Sequence, residues 1–593
     1  MKIMKAMKVK QTTAAGYRYL GFSAIAKKSV FISVHLWLNG LHHEEPIAAE
    51  PQPKLLTSRK KHGIFSIANF QTHKKGEDAM LEFMKLYNKK VTGAISGWDR
   101  IRFRGTIRWL SSTRGINTYL HTYRILLKDF GQWANGITEK VRDMCANQAK
   151  ELDIPMIYLR SAAINKEGYA RQIMQERGIA TGDICMFSTV EPCLAPTLKG
   201  NKASRRLELE MGPRKCIWIY HYWNDENLGF GHTRLQTWLP LTATVCINGR
   251  HWLERQLIRE KMGYVKDGNC FTHIDDFPKA GELIEQQLRV NWPELLDALL
   301  KRNCPGIATV LQAPLDYYWS ADETEWATDI VFRSGVELDE LFPKLARYGL
   351  LSAQSPAVLR FFGRCAKGRR PEHIASNLRS RYEGLRLKHW VNKNSIKMYN
   401  KAGCILRVET TINQTRDFKV FRHPDDDTRR PASWQKMRKG ISDMHRRSVV
   451  CQASNERYLD HLAASSFSES LKTTVADICR RKHQQGKSYR AINPWDREDY
   501  QSLEFLSRGE YQINGFRNKD LRAALYPAIK DASQRKRISS KISRRLRLLR
   551  AHGIIQKVGS THRYQLTLKG RRVVNAVLAA SAADTEQLME MAA

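Results

Sequence analysis

Four carboxylates stand where they could do chemistry: Asp99, Glu325, Asp329 and Glu409. Metal-dependent phosphoryl transfer needs two or three carboxylates converging on Mg²⁺, because a hard cation takes oxygen ligands. Asp99 lies inside VTGAISGWDRIRFRGTIRWL, a stretch rich in β-formers. Glu325 and Asp329 are four residues apart and share a face if 324–332 is helical. Glu409 sits in CILRVETTIN, between apolar neighbours. No tight motif links the four. The plainer alternative is ion pairing: Asp99 with the flanking Arg100, Arg102 and Arg104, and Glu409 with Arg407 or Lys397. If the quartet is catalytic, the cofactor is Mg²⁺; otherwise no cofactor is expected, and the metal site itself stays open.

Other chemistries find less support. His221, His232, His251 and His273 are lone histidines, mostly on aromatic-rich strands, where packing and hydrogen bonding are the commoner roles. A nucleophile elbow, a phosphate-binding P-loop and a dinucleotide glycine loop are all absent, which argues against ATP-driven and NAD-linked reactions. The eleven cysteines are scattered, odd in number and without a CxxC pair, so neither a disulfide framework nor a structural zinc site is expected.

The elements that must position the carboxylates follow from periodicity. One or two strands are expected over 91–109, a helix over 119–150, a short buried strand over 153–159, a helix over 166–177 and a strand over 183–192. That alternation reads as an α/β unit. Strands over 215–223 and 232–249 form a hairpin or meander, with helices over 251–263, from 279 onward and over 338–348. Three further strands (HWVNK, SIKMYNK and CILRVETTIN) carry turns at 392–394 and 402–403. A long helix is expected over 434–463. Three aromatic and basic segments, 98–109, 218–238 and 317–326, would suit stacking on unpaired bases beside phosphate contacts, with core packing as the alternative.

Near the C-terminus, Ile538, Ile542, Leu546 and Leu549 recur at helical spacing and make one apolar face. Lys536, Arg537, Ser540, Arg544 and Arg547 lie opposite. From Gln534 to Arg550 there are eight Lys or Arg and no Asp or Glu. Gly553 supplies a stop, IIQKV and THRYQL read as a hairpin through Gly559-Ser560, and Thr567 can cap a last helix. Upstream, Asn514-Gly515 makes a turn before a short helix from Asn518. This order resembles the winged helix-turn-helix of MarR-like and ArsR-like DNA-binding domains over about residues 504–580. The resemblance implies that Arg544 and Arg547 meet the major groove, and that His562 and Arg563 of the wing touch backbone or minor groove. The chain as a whole resembles large bacterial proteins that end in a MarR-like winged helix, a likeness that implies no particular activity. KMYNKAGCILRVETTIN has a short local resemblance to rolling-circle replication initiators, with Asn400 where that pattern commonly has Asp and with no HxH motif.

The chain has 593 residues, 42% of them hydrophobic, and a formal net charge of +39. It can bury several cores. A charge of that size points to a polyanionic partner, with nucleic acid ahead of an anionic membrane. No apolar run reaches a membrane span. Residues 1–78 read as a poorly ordered basic extension, with Met80 or Met84 as the alternative start of the folded protein.

The fold class read from these features is multidomain α+β: a central mixed α/β body and a C-terminal winged helix-turn-helix. The expected divisions are an α/β domain over 79–310, an α+β domain with antiparallel strands over 311–463, a helical linker over 464–503, the winged helix over 504–580 and a tail over 581–593. The function expected is DNA binding in a mobile-element replication initiator or transposase-like nuclease; an RNase H-type core would use such carboxylates. A non-catalytic DNA-binding regulator and an RNA-binding nucleoprotein component are the alternatives. DNA is the expected partner ahead of RNA, without a membrane; a homodimer stays open, and the expected location is the cytoplasm.

Overall fold

A computed structural model describes residues 82–582, apart from 204, 365–372, 382–383, 426–428, 464–469, 485, 528–530 and 560. The expectations for 1–78 and for the tail beyond 582 lie outside the described residues. The body is built on one sheet of eleven strands. In chain order the strands are β1 (Val91–Ile107), β2 (Met156–Leu159), β3 (Gly182–Asn201), β4 (Arg206–Asp225), β5 (Gly229–Gln236), β6 (Ala243–Asn248), β7 (Tyr264–Asp267), β8 (Cys270–Ile274), β9 (Tyr317–Phe332), β10 (Ile374–Arg381), β11 (Gly384–Val391), β12 (Asn394–Lys401) and β13 (Ile405–Thr411). The sheet order is β10-β11-β12-β13-β9-β1-β6-β5-β4-β3-β2, and β7-β8 is a separate hairpin. Every pairing in the sheet is antiparallel except β2 with β3. The fold is therefore mixed α/β around a large mixed sheet, and one edge alone has the parallel pairing of an α/β unit. β9 pairs with both β1 and β13, so strands from either side of residue 310 are hydrogen-bonded in the same sheet.

The central strand β1 shows why the site lies where it does. Trp98 pairs with Trp326 and Arg100 pairs with Glu325, leaving Asp99 as the extra residue of a β-bulge. Side chains alternate across a sheet, so one extra residue reverses which parity faces which side. Before the bulge Gly97 faces Ile284 of helix Phe277–Gln287. After it Arg100, Arg102 and Arg104 take that face, while Ile101, Phe103 and Ile107 turn into the core. Helices Gly249–Arg259 and Phe277–Gln287 cover the first half of this face and leave the arginine half open.

The opposite face is held by helix Met444–Ala463. Its buried Asn455 donates to the carbonyls of Trp326 and Val408, both at 3.1 Å, and accepts from Thr410 at 2.7 Å, tying β9 to β13. The expected helix over 434–463 begins only at Met444. Residues Ser433–Lys436 instead form a strand with Lys419–Arg422, and Gly440 intervenes. The same helix supports the C-terminal part: Arg457 donates to Gln512 at 3.1 Å and Asp460 pairs with Arg571 at 3.0 Å.

The C-terminal part has helices Arg497–Leu506, Gly509–Asn514, Asn518–Leu525, Ala532–Ala551 and Leu568–Ala582, with a two-stranded hairpin of Ile555–Lys557 and Tyr564–Leu566 before the last helix. It has its own core, including Leu503, Phe516, Leu521, Ile542, Leu546, Leu549 and Val577. Ile542, Leu546 and Leu549 are buried as their spacing requires, Gly553 follows the long helix with φ +68, and the Thr567 hydroxyl accepts from Gly570 N at 2.9 Å. No helix among the described residues is long and apolar enough to cross a membrane.

Candidate metal centre

Asp99, Glu325 and Glu409 come from three neighbouring strands, β1, β9 and β13. Cross-strand pairing puts Glu325 opposite Arg100 and Thr411, and puts Glu409 two residues along β13 on the same face. The bulge turns Asp99 to that face. One oxygen from each carboxylate lies within 4.8 Å of the other two, and this is the only group of three or more potential metal ligands among the described residues. Asp99 and Glu409 are buried, at 4% and 1% exposure, while Glu325 is half-buried at the mouth. Residues 324–332 are strand rather than helix: the stretch is rich in β-branched Thr324, Thr328, Ile330 and Val331, and both of its flanks are paired. Glu325 and Asp329 still share a face, because four residues is also two strand periods.

Two of the three carboxylates are held by groups of the scaffold. Asp99 Oδ1 accepts from Asn269 Nδ2 at 2.6 Å and Asn248 Nδ2 at 3.2 Å, and Arg407 Nη1 donates to Oδ2 at 3.1 Å. Asn248 also caps helix Gly249–Arg259, and a Cβ at Gly249 would overlap the Trp98 carbonyl, so the helix start is fitted to the bulge. Asn269 projects from the β7-β8 turn. Glu409 Oε2 accepts from the Tyr399 hydroxyl at 3.0 Å. Its Oε1 is buried and has no hydrogen bond of good geometry; the Lys397 ammonium stands 2.6 Å away and 3.5 Å from Glu325 Oε1.

Burial, followed by the Glu409 charge, pushes the Glu325 carboxyl up to about 7. Lys397 moves the other way: burial disfavours its charge, but Glu409 and Glu325 outweigh burial and raise its pKa. Burial pushes the Tyr399 hydroxyl well up, with Glu409 adding to it.

Asp329 is fully buried and stands apart from the three. Arg407 donates to both of its oxygens, at 2.6 and 2.8 Å, and Arg250 Nη2 lies 3.0 Å from Oδ2. With two guanidiniums on it, Asp329 anchors Arg407, which in turn fixes Asp99. The plain ion pairing of Glu409 with Lys397 is present; Asp99 pairs with Arg407 instead of its flanking arginines.

The face around the centre is basic. The rung through Glu409 continues to Lys397 and Lys388, and the next to Tyr399 and Arg386. Burial, then Lys397 and Arg386, lowers the Lys388 pKa, a sign of crowded positive charge. Arg386 Nε has no hydrogen-bond partner among the described residues. On the other side Arg100 is exposed. Most aromatics of the three segments are core: Trp98, Trp218, Trp319 and Trp326 are all at most 5% exposed, while Trp109, Tyr317 and Tyr318 are half-buried. The histidines are dispersed. His221 is buried against Asp183 at 2.8 Å, and His232 is packed on Tyr220 and Tyr222, with burial pushing its pKa down to about 3. His251 adjoins Glu254 and Lys266, and His273 pairs with Asp275 in the open.

In the C-terminal part Lys536, Arg537, Ser540, Arg544 and Arg547 are all exposed on helix Ala532–Ala551, and His562 is exposed at the hairpin. Arg563 is half-buried and lies over the Phe421 ring of the body, 4.6 Å from its centre. Comparison with family models, curated proteins and solved structures gave no significant match.

Sequence reasoning passed over Asn248, Asn269, Tyr399 and Arg250. Asn248 and Asn269 carry only turn signals, Asn-Gly at 248–249 and Asp-Gly-Asn at 267–269, while Tyr399 and Arg250 lie inside a strand and a helix.

Proposed function

We propose that this chain carries out divalent-metal-dependent phosphodiester chemistry on nucleic acid, with Asp99, Glu325 and Glu409 holding the ion. The observation that carries the reading is the convergence of three carboxylates from three adjacent strands, with Glu325 pushed up to about 7 by burial and Glu409. Crowded carboxylates resist ionising together, and a cation relieves them. When bound, Mg²⁺ or Mn²⁺ would polarise a phosphoryl oxygen and generate a water nucleophile. The chain's own part is to hold Asp99 through Asn248, Asn269 and Arg407, to orient Glu409 through Tyr399, and to neutralise phosphates with Arg100, Lys388 and Arg386.

The C-terminal helices and hairpin act as a MarR-like winged helix that selects the target. Lys536, Arg537 and Ser540 meet phosphates, Arg544 and Arg547 enter the major groove, and His562 contacts the flanking backbone. Arg563, packed over Phe421, holds the wing to the body. A mobile-element replication initiator or transposase-like protein fits this pairing of a recognition helix with a cutting centre. DNA is favoured over RNA because a basic helix reads the wide major groove of B-DNA.

The test incubates the full chain with labelled single- and double-stranded DNA and RNA, with Mg²⁺, Mn²⁺ or EDTA, beside Asp99→Asn and Glu409→Gln. Metal-dependent cutting or joining by the wild type alone is expected. Tight DNA binding with no chemistry in any metal would leave a DNA-binding regulator.

A further inference from the structure

Lys397 occupies the place where the centre would hold its cation. Its ammonium lies 2.6 Å from Glu409 Oε1 and 3.5 Å from Glu325 Oε1, bridging two of the three ligand carboxylates. Glu409 Oε1 is buried and has no hydrogen bond of good geometry, so it lacks a fixed scaffold donor of the kind that serves Oε2. Asp99, by contrast, is held by two amides and a guanidinium. A buried oxygen of Glu409 and an oxygen of Glu325 at the mouth are thus matched to one charge at the end of a flexible stem. Lys388 and Arg386 line the same side, across the ladder from Lys397 and Tyr399.

We propose, on the reading that this centre holds a divalent ion, that Lys397 is a tethered counter-ion. It fills the cation position in the metal-free protein, gives way when the ion binds, and turns to the basic side where a nucleic-acid phosphate pairs with it. One ammonium faces the carboxylates when metal is absent, and the same ammonium faces a phosphate when metal and strand are both bound. Metal and nucleic acid therefore load cooperatively, and the same factor acts in both directions.

The experiment is calorimetric titration of the full chain with Mn²⁺, alone and with a short single-stranded DNA, for the wild type, Lys397→Met, Lys397→Gln and Glu409→Gln. Removing a unit positive charge from between two ligand oxygens is expected to tighten Mn²⁺ binding by about tenfold or more in both lysine variants. The gain in Mn²⁺ affinity that DNA gives the wild type is expected to shrink in both. Either lysine variant that retains the wild-type circular dichroism decides the matter, and binding equal to or weaker than wild type overturns the counter-ion role. If both variants unfold, wild-type titrations decide: Mn²⁺ affinity unchanged by DNA overturns it. Failure of the metal reading looks different: no saturable Mn²⁺ binding in any form, or a Glu409→Gln variant that binds as the wild type does.

Discussion

The role of Asp329 can be decided by a double-mutant cycle with Arg407. Three N–H···O or ion-pair contacts reach its carboxylate, two from Arg407 and one from Arg250, in a site with no exposure. Removing one partner of a buried ion pair costs about 3–5 kcal/mol, because the other charge is left without compensation. Arg407→Met takes away two of the three contacts and also the Arg407 contact to Asp99, so its cost should lie near the upper end, about 4–5 kcal/mol. Asp329→Asn leaves Arg407 paired with Asp99 and the Asn269 carbonyl, so about 3 kcal/mol is expected. In the double variant the main partners are gone together, and the cost should fall short of the sum by about 2 kcal/mol. Denaturant unfolding followed by tryptophan fluorescence measures all three. Additivity within about 0.5 kcal/mol would refute the anchoring role. So would an Asp329→Asn protein that keeps its stability and loses Mn²⁺ binding, the behaviour of a ligand.

Three further outcomes are expected. Glu325 has a folded-state pKa of about 7 against an ordinary 4.5, so its stabilising contribution is complete below 4.5 and is lost as pH rises through 7, by about 3 kcal/mol; Glu325→Gln should therefore lie closest to the wild type below pH 4.5 and melt higher than it at pH 8 in EDTA, and a lower melting point at pH 8 would contradict this. Saturating Mn²⁺, at about a hundred times its dissociation constant, should stabilise the wild type by about 2.7 kcal/mol and leave Asp99→Asn unmoved, as read by thermal melting. Lys536→Ala with Arg537→Ala should weaken DNA binding; fluorescence anisotropy across a salt series should show the slope of log affinity against log salt reduced by up to about 1.8, and an unchanged slope would remove these two from the phosphate-contacting set.

The helix Ala532–Ala551 and strand β1 were legible in the sequence alone. The stripe of Ile542, Leu546 and Leu549 is buried because a helix repeats every 3.6 residues, and the same repeat exposes Arg544 and Arg547. The β1 segment alternates Ile101, Phe103 and Ile107 inward against Arg100, Arg102 and Arg104, so the strand is visible in the chain alone. The four carboxylates could be picked out by type and neighbours, but their division could not. Glu325 lies at the mouth and Asp329 under two guanidiniums, though both occupy the same face of one strand. What separates them is the cross-strand neighbour: Glu325 is opposite Arg100 and Thr411, Asp329 opposite Ile95 and Arg407.

The sequence by itself determined the elements whose burial follows a short period, because each residue's environment there depends on neighbours three or four positions away in a helix or two in a strand. Only the tertiary structure decided the centre. Asp99 and Glu409 are 310 positions apart, and they meet because β9 pairs with β1 on one side and β13 on the other. The bulge at Asp99 is one residue of register between two long strands, a property of the pair that neither strand carries alone. The occupancy of the carboxylates by Lys397 depends in the same way on the β12-β13 ladder, which sets the two side chains opposite each other.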